Sequence, residues 1–479
     1  PVSVQDAARF DWFATLPGRV TVDERDTILA VTPLTARWAV ERPLPPLRIL
    51  TLAPDCDPSL AEPRHLLAGF AGQTVRYPLH NPRLLLIGLQ AQLRRRDPDL
   101  ILSRWGDTWL FPALRRWAQA GGVSCHPSRD PARPWQLKPA GSYFTYGQVL
   151  YRGEQTHLFG RWHIDVENAP MFAEYGLDGV LEQTAVTGLP LQAVARRSPG
   201  AGITAMQMLT AQRRGVLVPV TKQQAERYKS ARALLRADRG GLVFQPQVGL
   251  HADVVEIDFV SMYPSIIARF NVSPETVGQG VGPTAVTPEL GLPIDQSQPG
   301  LLPETLTPLL QKRLAIKRQL ARLTRRDCRR PALEARAAAL KWLLVVACGY
   351  AGYKRARFGR IETHEAITAY SREALLRAKE TAEALGYQVL HLYVDGLWVQ
   401  RRGVKTAGAV QPLLDAIEAA TGLPIALEGF YRWIAFLPSR QDARVPVPNR
   451  YFGVFEDGVV KARGIELRRH DTPPFVAGA

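Results

Sequence analysis

The sequence predicts a multidomain protein of mixed α/β and α+β class. Three observations carry that expectation. At 479 residues the chain is longer than one hydrophobic core usually organises. From residue 47 to about 215, short apolar runs alternate with helical stretches, the pattern of packed α/β layers. Beyond residue 249 the order changes to strand, helical hairpin, long helix and β-hairpin, which suits a second domain.

Residues 1–46 are mixed, with strand-like pieces RVTVDE and ILAVTPL. Proline-rich RPLPPL leads into LRILTLAP, a buried-strand pattern, and TWLFPALRRWAQAGG reads as helical. QQAERYKSARALLRA predicts another helix, stopped at Asp238-Arg239-Gly240-Gly241. VVEIDFV then reads as a buried strand with one acid, Asp258, near its C-terminal end. Ser261 can cap the helix that follows, and Pro264 is tolerated in a first turn because its missing N–H is not needed there. A buried acid of this kind either serves a site or caps a turn.

Residues 303–347 predict two antiparallel helices joined by the polar turn RRDCRRP. Arg313 and Lys317 stand four apart and share a face, and Lys341 lies on the return helix. Three cations of that kind suit a triphosphate, Arg as a fork and Lys as point charges. A helix over roughly 362–385 leads into HLYVDGLWVQ, where Asp395-Gly396 between apolar runs favours a tight hairpin turn. Such a hairpin by itself explains these residues without any catalysis.

The net charge of +16 is uneven. Between Leu301 and Arg360 there are 15 Lys and Arg against 3 Asp and Glu, a difference of +12. A strip so basic repels itself unless a polyanion lies near, and the interleaved acids of a solvated helix face are missing. Nucleic acid or nucleotide phosphate is the expected partner. The four cysteines (Cys56, Cys125, Cys328, Cys348) have no C-x-x-C spacing, so neither a zinc site nor a disulfide framework is suggested. With no signal-like segment or membrane-length apolar run, the expectation is a cytoplasmic protein, associated with the nucleoid if the source is bacterial or archaeal.

If the strands carrying Asp258 and Asp395 are neighbours, both carboxylates can meet at one edge of a sheet. Two carboxylates holding two divalent ions about 3.5–4 Å apart is a recurring device for phosphoryl transfer. Such hard, oxygen-ligated sites use Mg²⁺.

On these motifs the chain resembles the family-B DNA polymerases. DFVSMYPSII is similar to their first palm motif, D-x-x-S-L-Y-P-S-I-I, with Met262 in place of Leu. GLLPETLTPLLQKRLAIKRQL resembles their fingers helix, KWLLVVACGYAGYKRARFGR their second motif, VLHLYVDGLWV their third and GIELRRHD the start of their thumb. GGLVFQPQVGLHADVVEID and NVSPETV are similar to archaeal-type members. The resemblance runs from about residue 45 to 471 and implies an RNase H-like exonuclease-type domain, a right-hand palm of antiparallel sheet with helices, and helical fingers.

The boundaries it implies are an N-terminal remnant at 1–46, the exonuclease-like domain at 47–215, a linker helix and first palm part at 216–300, fingers at 301–355, a second palm part at 356–450 and the start of a thumb at 451–479. Asp258 and Asp395 would be catalytic and, with the Phe259 carbonyl, hold two Mg²⁺ ions, Mn²⁺ being an alternative; Glu428 in EGFY is expected nearby. Arg313, Lys317, Lys341, Ser261, Met262 and Tyr263 would bind the incoming dNTP, with Tyr263 under the sugar excluding a 2′-hydroxyl. Arg450, Tyr451 and Arg463 would contact primer–template DNA.

Several positions depart from the family pattern. The third motif, Y-x-D-T-D-S, normally has two acids; aligning on L-W-V puts Asp395 at the metal-binding one and Tyr393 at the other, whereas the alternative register puts Leu397 at the metal. In the second motif, K-x-x-x-N-S-x-Y-G, Lys341 and Gly349 match, while Val345 replaces Asn and Cys348 replaces Tyr, which implies a looser base-pair pocket and low-fidelity or lesion-tolerant synthesis. The exonuclease ligand positions hold Ala53, Asp55, Trp105 and Leu110, with no acid in ARRSPGAG, so Asp107 and Asp165 stand at positions not assigned to metals and proofreading is expected to be lost. The short thumb means that it lies on a second polypeptide, is missing, or has been cut off. The leading expectation is a primer-extending DNA polymerase; the alternative is an inactive polymerase fold that binds primer–template as a scaffold. A nuclease fits poorly.

Overall fold

A computed structural model describes residues 18–24, 28–33, 35–42, 46–123, 125–130, 133, 135–145, 148–220, 228–237, 239–278, 282–468, 472–473 and 475. The start of the helix expected at 223–237, most of the 1–46 segment's beginning, and the end of GIELRRHD lie outside these residues. The chain divides into two compact units, residues 1–206 with 312–343, and residues 207–311 with 344–479.

The first unit is built on a five-stranded mixed sheet. Its strands are β1 (Ile49–Pro54), β2 (His65–Phe70), β3 (Gln73–Pro78), β4 (Leu100–Ser103) and β5 (Trp162–Asp165), in the order β5-β4-β1-β2-β3. β1, β4 and β5 run parallel, and β2 and β3 complete an antiparallel meander. The helix Pro82–Arg96 starts on Asn81, whose side chain accepts the N–H of Leu84, and ends with three arginines that complement the helix dipole. TWLFPALRRWAQAGG is only partly an α-helix: a π-turn at Gly106–Leu110 precedes Phe111–Gly121, which Gly122 ends in the left-handed region. Leu50, Leu52, Leu85, Leu89, Phe111 and Leu114 form one buried core of this unit.

The same unit holds a charge cluster that the residue pattern does not announce. Glu182, on the helix Pro170–Thr187, is fully buried. It pairs with Lys312 at 2.5 Å, Arg336 at 2.8 Å and Arg42 at 3.6 Å. Burial opposes its charge, but the three cations outweigh burial and hold its carboxyl below the usual range. Lys312 and Arg336 therefore belong to the basic strip yet face a buried acid.

The second unit is organised by a seven-stranded sheet, antiparallel at every pairing. Its strands are β6 (Val243–Phe244), β7 (Gly249–Phe259), β8 (Gln388–Tyr393), β9 (Gly396–Gln400), β10 (Ile425–Pro438), β11 (Pro446–Phe455) and β12 (Val460–Arg463). The order is β6-β8-β9-β7-β10-β11-β12, with β7 at the centre. Val254, Val255, Ile257 and Phe259 of β7 are buried, which is why VVEIDFV forms a strand covered on both faces. The helices Met262–Arg269 and Ile361–Ala384 belong to this unit, and Phe270 stacks on Tyr370 with ring centroids 4.3 Å apart. The helical hairpin forms as Leu301–Arg322 and Arg330–Gly352.

Removing the acid from the Glu182 cluster strands three buried cations. Glu182→Ala is predicted to cost about 3–5 kcal/mol of stability, read as a lower urea midpoint for the transition of the first unit.

Candidate functional site

β7 carries Asp258 to the end of the sheet at a point fixed by pairing on both sides. Asp258 lies directly opposite Gly396 of β9 and opposite Ala426 of β10. The next residue closes the site locally, because the Phe259 N–H donates to the Asp395 carbonyl at 2.9 Å. Gly396 keeps this corner open: a Cβ there would lie 3.8 Å from an Asp258 carboxylate oxygen and 3.4 Å from the Trp398 ring.

The hairpin that presents Asp395 differs from expectation. Tyr393 pairs with Gly396, so the turn residues are Val394 and Asp395, not Asp395 and Gly396. Val394 adopts φ +57°, a conformation costly for a β-branched residue, and its N–H is held by the Leu242 carbonyl at 2.9 Å. The physical reason for the shift is pairing: Gly396 is drawn into the sheet opposite Asp258. Leu397 is fully buried opposite Ile257, so the acid that faces Asp258 is Asp395.

A third carboxylate arrives by a β-bulge. The pairing of β7 with β10 jumps from Glu256–Gly429 to Ile257–Leu427, leaving Glu428 as the extra residue. Asp258 has no hydrogen-bond partner on Oδ1 although that atom is buried. Its pKa is pushed up to about 8, first by burial and then by repulsion from Asp395, Glu428 and Glu256. Among the described residues no group of three or more His, Cys, Asp or Glu is close enough together to form a ready metal cage. An orphaned buried carboxylate oxygen facing further acids does, however, fit a divalent cation that brings its remaining ligands with the substrate.

Ser261 stands at the N-cap of the helix Met262–Arg269, but with φ +49° it makes no capping bond, contrary to expectation. The strand ends one residue earlier and the backbone turns through the left-handed region, so its side chain does not reach the helix N–H groups. Met262 is buried and accepts a weak contact from the Ser371 hydroxyl at 3.5 Å. Tyr263 packs by the hairpin turn: a Cβ on Gly241 would sit 3.2 Å from its hydroxyl and 3.2 Å from Val394. Burial, with Cys348 and Asp395 nearby, raises the Tyr263 phenol to about 12. Cys348 is buried, whereas Val345 and Gly349 on the same helix are exposed.

The remaining expected residues fall into different surroundings. Lys317 and Lys341 are exposed, Arg313 is half-buried, and all three belong to the first unit. Arg450 donates to the Pro438 carbonyl and Arg463 to the Ala462 carbonyl. Tyr451 is buried against Trp398 and Phe436, so its side chain is part of the sheet's core rather than its surface.

In the first unit, Asp107 is fully buried and bonded on both oxygens. It accepts from the Thr156 N–H at 2.7 Å, Asn168 at 2.9 Å and Arg196 at 3.3 Å. Asp165 accepts the Asp107 N–H at 2.8 Å and that of Glu167 at 3.3 Å.

Residues 190–395 match the family model described as DNA polymerase family B. The match ends on Asp395 and includes Asp258. The chain is similar to the archaeal family-B DNA polymerases. It is 30% identical over 313 residues to DNA polymerase 2 of Saccharolobus solfataricus, covering 65% of this chain and 45% of that protein. To DNA polymerase 1 of Pyrococcus abyssi it is 26% identical over 430 residues, 79% of this chain and 54% of the relative. The fold is similar to that of the family-B polymerase of the hyperthermophilic archaeon Pyrobaculum calidifontis, with a TM-score of 0.63 and 22% identity over 94% of this chain and 64% of that one. The chain thus spans about half the length of the curated relatives it matches. No helix among the described residues is long and apolar enough to cross a membrane.

Neutralising Asp258 should stabilise the metal-free protein. Its folded pKa lies above the ordinary value, so the folded state holds a proton that the unfolded state releases between about pH 4 and pH 8. Stability therefore falls as pH rises through that window. Asp258→Asn is predicted to raise stability by on the order of 2 kcal/mol at pH 8, with the gain vanishing towards pH 4 in chelator-treated denaturation curves.

Proposed function

We propose that the chain is a DNA-directed DNA polymerase, extending a primer 3′-hydroxyl with dNTPs on a DNA template. The observation that carries this reading is the pairing of Asp258 opposite Gly396, which brings the neighbouring Asp395 close enough to repel it, with Glu428, the extra residue of the bulge, as a further acid acting on it. Asp258, Asp395 and the Phe259 carbonyl would hold two Mg²⁺ ions, with Mn²⁺ an alternative. Bound there, the ions would lower the pKa of the primer hydroxyl and offset charge on the leaving pyrophosphate oxygen.

The chain's own residues do the positioning. The resemblance assigns the incoming triphosphate to Arg313, Lys317 and Lys341, cations that suit a polyphosphate. Tyr263, whose hydroxyl lies beside Gly241 and close to the Val394 turn, would stack under the sugar and exclude a 2′-hydroxyl. Arg450 and Arg463 lie on strands suited to primer contact, and Tyr451 supports them from the core. In this reading residues 216–300 form a linker helix and the first palm part, 301–355 the fingers, 356–450 the second palm part, and 47–215 an exonuclease-like domain. Cys348 beside Tyr263 in place of a larger aromatic leaves a looser base-pair pocket, which favours misinsertion and lesion bypass. Ala53, Trp105 and Leu110 at the expected ligand positions support an absence of 3′–5′ exonuclease activity, and the surviving Asp107 already has a cation and two N–H donors.

The test is extension of a labelled primer with Mg²⁺ and dNTPs. Asp258→Asn and Asp395→Asn should each lower the rate at least about 10³-fold without weakening primer–template binding. Tyr263→Ala should admit ribonucleotides that the unmodified chain rejects. Binding without any extension by the unmodified chain would instead favour the inactive scaffold.

A further inference from the structure

Two residues outside the motifs sit beside the carboxylates. Glu256 lies two residues before Asp258 on β7 and so shares its face of the sheet. It is buried, yet neither of its oxygens is left to bind an ion: the Lys461 ammonium donates to Oε1 at 2.6 Å and the Tyr431 hydroxyl to Oε2 at 2.8 Å. Lys461 belongs to β12, the edge strand, and two strands intervene between it and β7. Its side chain is 18% exposed and its ammonium lies 6.0 Å from the Phe455 ring centroid, which itself stacks on Tyr431.

We propose that Glu256 and Lys461 form a charge-balanced positioning pair for the carboxylate site, keeping Glu256 out of the ion-binding set and fixing the site's charge as that of Asp258, Asp395 and Glu428. The inference rests on the two-ion reading above. It follows from position and sign. Three acids repel Asp258, and Lys461 is the cation that opposes them. An acid two residues from a metal ligand on the same face would compete for the ion if it were free. Held by a lysine and a tyrosine at once, it cannot turn towards Asp258 without breaking two buried hydrogen bonds. The strand β12 thereby contributes to the chemistry without touching substrate.

The sign of the charge left behind by each substitution separates this role from simple bracing. Mn²⁺ binding to the metal-free full chain would be measured by isothermal titration calorimetry, with Asp258→Asn identifying the site. Glu256→Gln leaves the Lys461 charge unopposed and should weaken Mn²⁺ on the order of tenfold. Adding Lys461→Met to Glu256→Gln should restore affinity to about the unmodified value, and Lys461→Met alone should never weaken it. A brace would behave otherwise, since losing both partners cannot repair the loss of one. The inference is overturned if the double variant stays as weak as Glu256→Gln, or if Glu256→Gln binds Mn²⁺ as the unmodified chain does. No Mn²⁺ site sensitive to Asp258→Asn would overturn the two-ion reading and this inference together.

Discussion

The second unit depends on the register of one central strand. β7 is paired along nearly all of its length with β10 and over Val254–Asp258 with β9, so the position of Asp258 is set by two ladders at once. A slip of one residue on either side would turn Asp258 away from Asp395 and bring Ile257 to the site. Glu256 opposes that slip, because its buried carboxylate would lose its bonds to Lys461 and Tyr431, and the close-packed Val254, Val255, Ile257 and Phe259 would have to repack. The bulge at Glu428 is the one relaxation of the ladder, and it adds a third acid without shifting the other two.

This arrangement concentrates negative charge where burial opposes it. Elsewhere the protein answers such charge internally. Glu182 has three cations, Asp107 has Arg196, and Glu256 has Lys461 and Tyr431. Asp258 differs: its buried Oδ1 accepts no hydrogen bond, and the charges that act on it most strongly are those of other acids. A folded protein tolerates such an atom at a cost in stability, and functional sites are where that cost is found. The contrast also separates the two sets of surviving acids. The carboxylate of Asp107 is satisfied from within, whereas that of Asp258 is left facing other acids.

Much of this was legible in the residues and some was not. The strand over VVEIDFV, the helical hairpin and the long helix before β8 follow from apolar periodicity, and they formed close to where that pattern puts them. Asp258 and Asp395 stood out because single acids inside apolar runs are conspicuous. The hairpin turn was misplaced by one residue because local preference favours Asp-Gly, while the sheet required Gly396 opposite Asp258. Ser261 looked like a cap by residue type, but its left-handed backbone directs it elsewhere. The pairs Glu182–Lys312 and Glu256–Lys461 join residues 130 and 205 apart in sequence, and nothing in local pattern announces partners so distant. For Tyr451, an aromatic in a matching motif says nothing about which face of the strand it occupies; the structure puts it in the core.

The most direct measurement is anomalous scattering from crystals of the chain with primer–template, a non-hydrolysable dNTP and Mn²⁺. Manganese peaks against the carboxylates of Asp258 and Asp395, next to the triphosphate, are the expected result. Nucleotide bound without metal at these two residues, or manganese held instead by Asp107 and Asp165, would contradict the reading of the second unit as a polymerase centre.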